Sequence, residues 1–400
     1  MAPSFRADHI GSLLRPAALL EARKSQQAFS DAALPPDIAA ATKAAIADAV
    51  KKQLELCIRP ITSGEYERMT FMSGFFEKLE GMTTTKGLPV PDAFRTGLPS
   101  STVWLRMGRT VREAIIATAP ICRTAPAYLE AWEMLKSVTP SEHWGECKIM
   151  LPSITTEQLQ LAPGTAWAPG VYRSDREYFA DLATAYRAEF QDLYNAGLRH
   201  VQIDSPNLCF FFADSFLEGC RTDGVDIDEL LDLHIWAHNE TLRDRPAGMC
   251  IGLHMCRGNM PLFHDVSKGS YETIAERMFT KLDYDQFYLE YEDEERQGSF
   301  APLRFLPKGK SVVLGIVSTK TAELEDLDML EARVREAADV IAKGQGRSAE
   351  EVLEDTLAVS PQCGFASLAF NVGQGFTEEK MWAKLVLLRD LARRLWKDAA

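Results

Sequence analysis

The stretch MCIGLHMC (249–256) decides how this chain is read. It is an apolar run of strand length that ends on His254 and Cys256, two residues apart. Alternate residues of a strand point to the same side, so this imidazole and this thiol face one point. Three similar runs follow: QFYLEYE (286–292), SVVLGIVS (311–318) and LAVSPQCG (357–364). Glu290 interrupts the first of them, and Cys363 ends the last. Four more precede it: SFRADHIGS (4–12), CIRPITSG (57–64), CKIMLPS (147–153) and HVQIDSP (200–206).

Segments with apolar residues at helical spacing lie between most of these runs, over 37–56, 175–197, 226–244, 271–282, 324–343 and 377–398. Gly197 reads as a C-cap glycine, and Thr377 followed by Glu378 and Glu379 reads as a helix start. Eight strands alternating with helices is the count of a (β/α)8 (TIM) barrel. The expectation is one domain over 1–400 with an insertion after strand two. That insertion, an arm or hairpin around 70–140, holds TTTKGLPVPDAFRTGLPSSTVWLRMG (83–108), and a helix near 110–137 is expected to bring the chain back. In a barrel the C-terminal ends of the strands converge on one face. Ser12, Glu65, Asp204, His254, Cys256, Glu290 and Cys363 each sit at or just past such an end.

Composition narrows the classes. The net charge is −13, from 44 basic and 57 acidic residues, which argues against a nucleic-acid backbone as partner. No stretch approaches the ~20 apolar residues of a membrane span. The first residues, MAPSFRADHIGSLLRP, carry charge where a secretion signal needs apolar residues. Eight scattered cysteines do not resemble a disulfide framework. The expected setting is the reducing cytoplasm. Homo-oligomers are neither indicated nor excluded.

One imidazole, two thiolates and a carboxylate meet the donor requirements of a tetrahedral zinc site. Three anionic ligands outweigh the two charges of Zn(2+), so such a site polarises water weakly. A substrate thiol, with a free pKa of roughly 8.5, would instead be taken as the thiolate and remain nucleophilic. Alkyl transfer to sulfur is the matching reaction. The competing reading is a buried core histidine with inert cysteines. Glu292 competes with Glu290 as the acidic ligand.

The segments HIGSLLRP (9–16), ITSGEYERMTFM (61–72), VQIDSPNL (201–208), LHMCRGN (253–259), FYLEYEDE (287–294) and VSPQCGF (359–365) resemble, in order, the catalytic C-terminal barrel of cobalamin-independent methionine synthase. They resemble its stand-alone single-barrel relatives more closely. The resemblance implies zinc held by His254, Cys256, Glu290 and Cys363. It implies an acceptor amino acid, homocysteine, contacted by Ile10, Gly11 and Ser12, with its ammonium on Glu65 and Asp204. Glu67 is the alternative to Glu65, helix capping the alternative for Ser12, and loop capping the alternative for Asp204. His9 reads as a structural histidine or a proton relay, and CFFFADSF (209–216) as an aromatic wall or the start of a core helix.

This sequence departs from the family in three places. It has one barrel where the synthases have two. No tryptophan stands in KIMLPSITT (148–156), where the family packs one on the pterin. GIVSTKT (315–321) replaces the segment that carries the family's catalytic histidine; Ser318 and Thr319 cannot act as that acid, and His264 is the candidate substitute. These departures touch the alkyl donor, a folate, methyl corrinoid or sulfonium, more than the thiol. The rival readings are addition of a thiol to an epoxide, as in epoxyalkane:coenzyme M transferase, and a zinc- or thiol-binding protein without catalysis.

Overall fold

The computed structural model describes residues 2–24, 34–259, 266–369, 376–397 and 399. His264 lies outside the described residues. The strands are β1 (Glu80–Pro89), β2 (Val111–Cys122), β3 (Lys148–Pro152), β4 (His200–Asp204), β5 (Cys250–Met255), β6 (Gln286–Glu290), β7 (Ser311–Val317) and β8 (Leu357–Pro361).

Strands β3 to β8 form a six-stranded parallel sheet whose spatial order is their chain order. Nearly every residue in them is buried, which is why they read as continuous apolar runs rather than alternating ones. Helices cover the connections: Asp175–Asn195, Ile227–Leu242, Glu272–Lys281 and Leu327–Gln345, with Glu378–Leu395 after β8. Most begin on a capping side chain. The side chains of Ser174, Asp226, Asp326 and Thr377 each accept a hydrogen bond from a first-turn backbone N–H, an interaction worth ~1 kcal/mol apiece. Gly197 follows the 175–195 helix at φ +105. The architecture is therefore mixed α/β around a parallel sheet. Among the described residues, no helix is long and apolar enough to cross a membrane.

The runs expected as strands one and two are each reduced to a single bridge. Ala7 pairs in parallel with Val359 of β8, and Ile61 with Cys147 just before β3. Pro60 has no N–H to extend a ladder, and Gly11 turns the chain at φ +117. Side chains and loop backbone make up the difference. His9 Nε2 lies 2.7 Å from the Pro60 carbonyl, Thr62 Oγ1 donates to the Gly11 carbonyl at 3.0 Å, and the Leu13 N–H donates to the Gly64 carbonyl at 3.0 Å. The two segments thus touch each other as well as opposite edges of the sheet.

Between Ile61 and β3, strands β1 and β2 pair antiparallel. The helix expected over 110–137 is only its second half, Leu129–Val138. Residues 111–122 are strand because Ile115, Ile116 and Thr118 carry β-branched side chains that pack on the pleat opposite Thr83–Thr85. The hairpin is fastened to the main body by two bridges, Ala117–Trp167 and Phe94–Leu161.

Candidate metal centre and its cavity

His254 is the fifth residue of β5, and Cys256 follows the strand's end. Cys363 lies two residues past β8, and Glu290 ends β6. The parallel sheet delivers these ends to one side. One nitrogen of His254 and the sulfurs of Cys256 and Cys363 all lie within 4.8 Å of one another, and the two sulfurs are 3.3 Å apart.

His254 is 2% exposed, and neither ring nitrogen makes a well-formed hydrogen bond, the Tyr288 backbone being a polar neighbour. Burial, then the charge of Lys148, lowers its pKa to about 3. It is neutral at physiological pH, the form that binds metals. The Cys256 thiol is pushed well up, first by its contact with Cys363 and then by burial. Burial also raises the Glu290 carboxyl, against the pull of Lys320. Neither Glu290 oxygen accepts a hydrogen bond, and its nearest cations, Arg296 and Lys320, are 3.8 Å away. Buried polar atoms left unpaired cost ~1–3 kcal/mol each. A divalent cation would satisfy them and reverse the sign of the thiol and carboxyl shifts. The donor set therefore fits zinc.

Glu290 stands outside the close group of three, though near enough for its charge to raise Cys256. Glu292 is committed elsewhere, with Lys320 at 2.7 Å, Arg296 at 2.8 Å and a hydrogen bond from Gln297. Of the two acids, Glu290 is the unengaged one. None of the eight cysteines is in a disulfide.

A cavity of about 150 Å³, open to solvent on one side, lies against the cluster. Ile10, Ser12, Glu65 and Asp204 line it together with His254, Cys256 and Cys363. Gly11 supports this wall from behind: a Cβ there would sit 2.1 Å from Met150 Cε. Ser12 caps no helix, since the following helix, Ala17–Ala22, starts after Pro16. Its hydroxyl lies against Gly364, where a Cβ would fall 1.9 Å from Ser12 Oγ.

Glu65 is 2% exposed and has φ +60, a conformation that non-glycine residues rarely adopt. Arg68 pairs with it at 2.7 Å, and of Glu65 and Glu67 it is Glu65 that lines the cavity. Asp204 accepts from Gln202 Nε2 at 2.7 Å. Burial, and then the neighbouring Glu65, push its pKa up to about 7. His9 is structural: burial lowers its pKa to about 4 and its Nε2 meets the Pro60 carbonyl. Of the 209–216 aromatics, Phe210 faces the cavity, while Phe211 and Phe216 pack on each other in the core.

Sequence reading missed the opposite wall. Trp104 and Arg112, both from the hairpin insertion, line the cavity with Met72 and Leu368. The Arg112 guanidinium stacks over Phe94 at 4.7 Å and Trp104 at 5.4 Å, and donates to Gln160 Oε1 at 2.7 Å. The one available signal was a lone tryptophan among Arg106, Arg109 and Arg112, and that pattern is equally common on solvated arms.

The family model for the cobalamin-independent synthase catalytic domain matches residues 136–375. Uncharacterized protein YxjH of Bacillus subtilis is 32% identical over 98% of this chain and 95% of its own length. A 5-methyltetrahydropteroyltriglutamate–homocysteine methyltransferase of Thermotoga petrophila is 22% identical over 89% of this chain but only 40% of its own length. Among solved structures, the "Putative Vitamin-B12 Independent Methionine Synthase" of Listeria monocytogenes superposes with a TM-score of 0.70 at 27% identity, over 99% of both chains. Sequence and fold agree: the chain belongs to the cobalamin-independent synthase catalytic-domain family.

Proposed function

We propose that the protein transfers a methyl or other alkyl group to a thiol held beside a zinc ion, with homocysteine as acceptor. The observation that carries this reading is the group of buried His254, half-buried Cys256 and buried Cys363, at one end of the sheet and opening onto a cavity with two carboxylates. Zinc would supply the acidity that turns a bound thiol into a nucleophile at neutral pH. Glu290 would be its fourth ligand. Asp204 and Glu65 would take the acceptor's ammonium, fixing the sulfur's direction of approach. Ile10, Gly11 and Ser12 would contact the acceptor amino acid through backbone and hydroxyl. The donor, whether a folate, a methyl corrinoid or a sulfonium, would lie against Trp104, Phe71, Met72 and Leu368. The two carboxylates weigh against an acceptor thiol that carries a sulfonate, which they would repel. The contacts of the 7 and 61 segments with each other and with both sheet edges support closure into one (β/α)8 barrel spanning 1–400, with the hairpin as its insertion. A reducing cytoplasm would keep both thiols available.

Metal analysis of the purified protein, followed by alkylation assays of homocysteine with each of the three donors, tests this reading. Zinc near stoichiometry with methionine formed from at least one donor is the expected result; no metal uptake and no product from any donor would end it.

The acceptor's ammonium requires Asp204 ionised, and Asp204 sits among Glu65, Arg68, Gln202 and Lys148. Its pKa is raised, so ammonium binding is complete above about pH 7 and is lost as the pH falls below it. Homocysteine affinity should therefore drop between about pH 8 and about pH 6, while that of its desamino analogue, which lacks the ammonium, loses less. Parallel slopes for the two thiols would contradict the assignment.

A further inference from the structure

Lys148, the first residue of β3, is buried at 1% exposure beneath the cavity wall. All three of its ammonium hydrogens are used: Asp8 Oδ1 at 2.6 Å, the His9 carbonyl at 2.7 Å and Gln202 Oε1 at 2.8 Å. Asp8 is itself fully engaged. It also receives the Tyr288 hydroxyl on Oδ2 at 2.8 Å and the His9 N–H on Oδ1 at 2.6 Å.

An ammonium only donates, so the side of the Gln202 amide that faces it has to be the oxygen. The amide sense, which coordinates alone seldom decide, is fixed here by chemistry. Its NH2 group must then face the other way, and its two hydrogens meet Asp204 Oδ1 at 2.7 Å and the Ile10 carbonyl at 3.0 Å. These acceptors belong to different parts of the chain, and both lie on the wall assigned to the acceptor amino acid. Asp204 is adjacent to a second carboxylate, Glu65, whose repulsion works to turn it away. Strand pairing fixes its Cα opposite His254 but leaves its carboxylate free to rotate. The tether occupies one oxygen, and no described residue hydrogen-bonds to the other. The Ile10 carbonyl likewise keeps its second lone pair.

We propose that Gln202, its amide sense locked by Lys148, is the positioning residue that holds Asp204 Oδ2 and the Ile10 carbonyl as one two-point receptor for the acceptor's ammonium. The inference rests on the acceptor being an amino-acid thiol. Gln202 touches neither the sulfur nor the metal ligands, so its loss acts on recognition of one end of the acceptor alone.

The test uses zinc-loaded protein, homocysteine and the desamino analogue, with titration calorimetry alongside initial rates. Gln202→Glu keeps an oxygen for Lys148 and so protects folding, but it removes both donated hydrogens. Gln202→Leu keeps the volume and removes the whole amide. A hydrogen bond to a charged group corresponds to roughly tenfold or more in affinity. Both variants should therefore raise the homocysteine KM and Kd about tenfold or more, with kcat and zinc content near wild type. Affinity for the desamino thiol should stay within about twofold. Equal losses for both thiols, or an unchanged homocysteine affinity, would overturn the Gln202 assignment while leaving the acceptor reading intact. Wild-type protein that does not prefer homocysteine over its desamino analogue would remove the acceptor reading, and the receptor with it.

Discussion

Cys363→Ser and Cys256→Ser proteins should lose their bound zinc and, with it, more than about 100-fold of thiol alkylation. The bound is a minimum: removing a residue that merely orients a metal ligand already costs 10–100-fold, and these sulfurs are direct donors in the proposed site. Serine replaces a soft, ionisable sulfur by a hydroxyl that stays protonated at neutral pH, so the site loses an anionic ligand and keeps its buried imidazole without a metal. Cys122, which is exposed and distant from the cluster, provides the control, and Cys122→Ser should keep metal and activity. Metal content by atomic emission and rates with saturating homocysteine decide the matter. Full zinc and full rate in either ligand variant would exclude the centre as the seat of the chemistry.

Arg68→Met should be the most destabilising single change near the cavity. The Arg68–Glu65 pair is 2.7 Å long, with side chains 5% and 2% exposed. Arg68 also donates to the Met150 carbonyl at 2.8 Å and to the Tyr128 hydroxyl at 3.0 Å. Burial opposes the guanidinium's charge, but Glu65, Tyr128 and Glu67 together more than offset it and hold the group protonated. Removing one member of a buried pair leaves the other charge uncompensated, at a cost of about 3–5 kcal/mol. The urea midpoint should fall accordingly. Homocysteine binding should weaken too, because Glu65 loses the partner that holds its carboxylate in place. The double variant Arg68→Met with Glu65→Gln should regain part of the stability and none of the acceptor affinity. A midpoint within about 1 kcal/mol of wild type for Arg68→Met would show that the pair is not what holds this turn.

The sheet was legible because its strands are short, buried on both faces and bounded by turns, so hydrophobic runs locate β3 to β8 to within three residues at either end. The strands expected at 4–12 and 57–64 were overcalled. Pro60 and Gly11 limit them to single bridges, and side-chain hydrogen bonds that no local pattern reveals do the joining. His254 and Cys256 were legible through strand alternation, and Cys363 through its place after an apolar run. Trp104 and Arg112 were not, because their position over the cavity depends on how a hairpin folds back across more than a hundred residues of chain. The Lys148–Gln202 tether was invisible for the same reason: a lysine opening a strand reads as surface until three distant acceptors are seen around it.

The two sides of the cavity are anchored very differently. The wall carrying Ile10 and Asp204 is tied through the interior of the sheet, by the Gln202 amide and the lysine behind it. The facing wall is carried by a hairpin that pairs with no strand of the parallel sheet and is held to the loops and helices around it by the Ala117–Trp167 and Phe94–Leu161 bridges and by hydrogen bonds such as Ile115 N–H to Glu157 and Ile121 N–H to the Tyr172 hydroxyl. Inherited variation should collect there, so that descendants of one scaffold keep the same sulfur chemistry while exchanging the molecule that delivers the carbon.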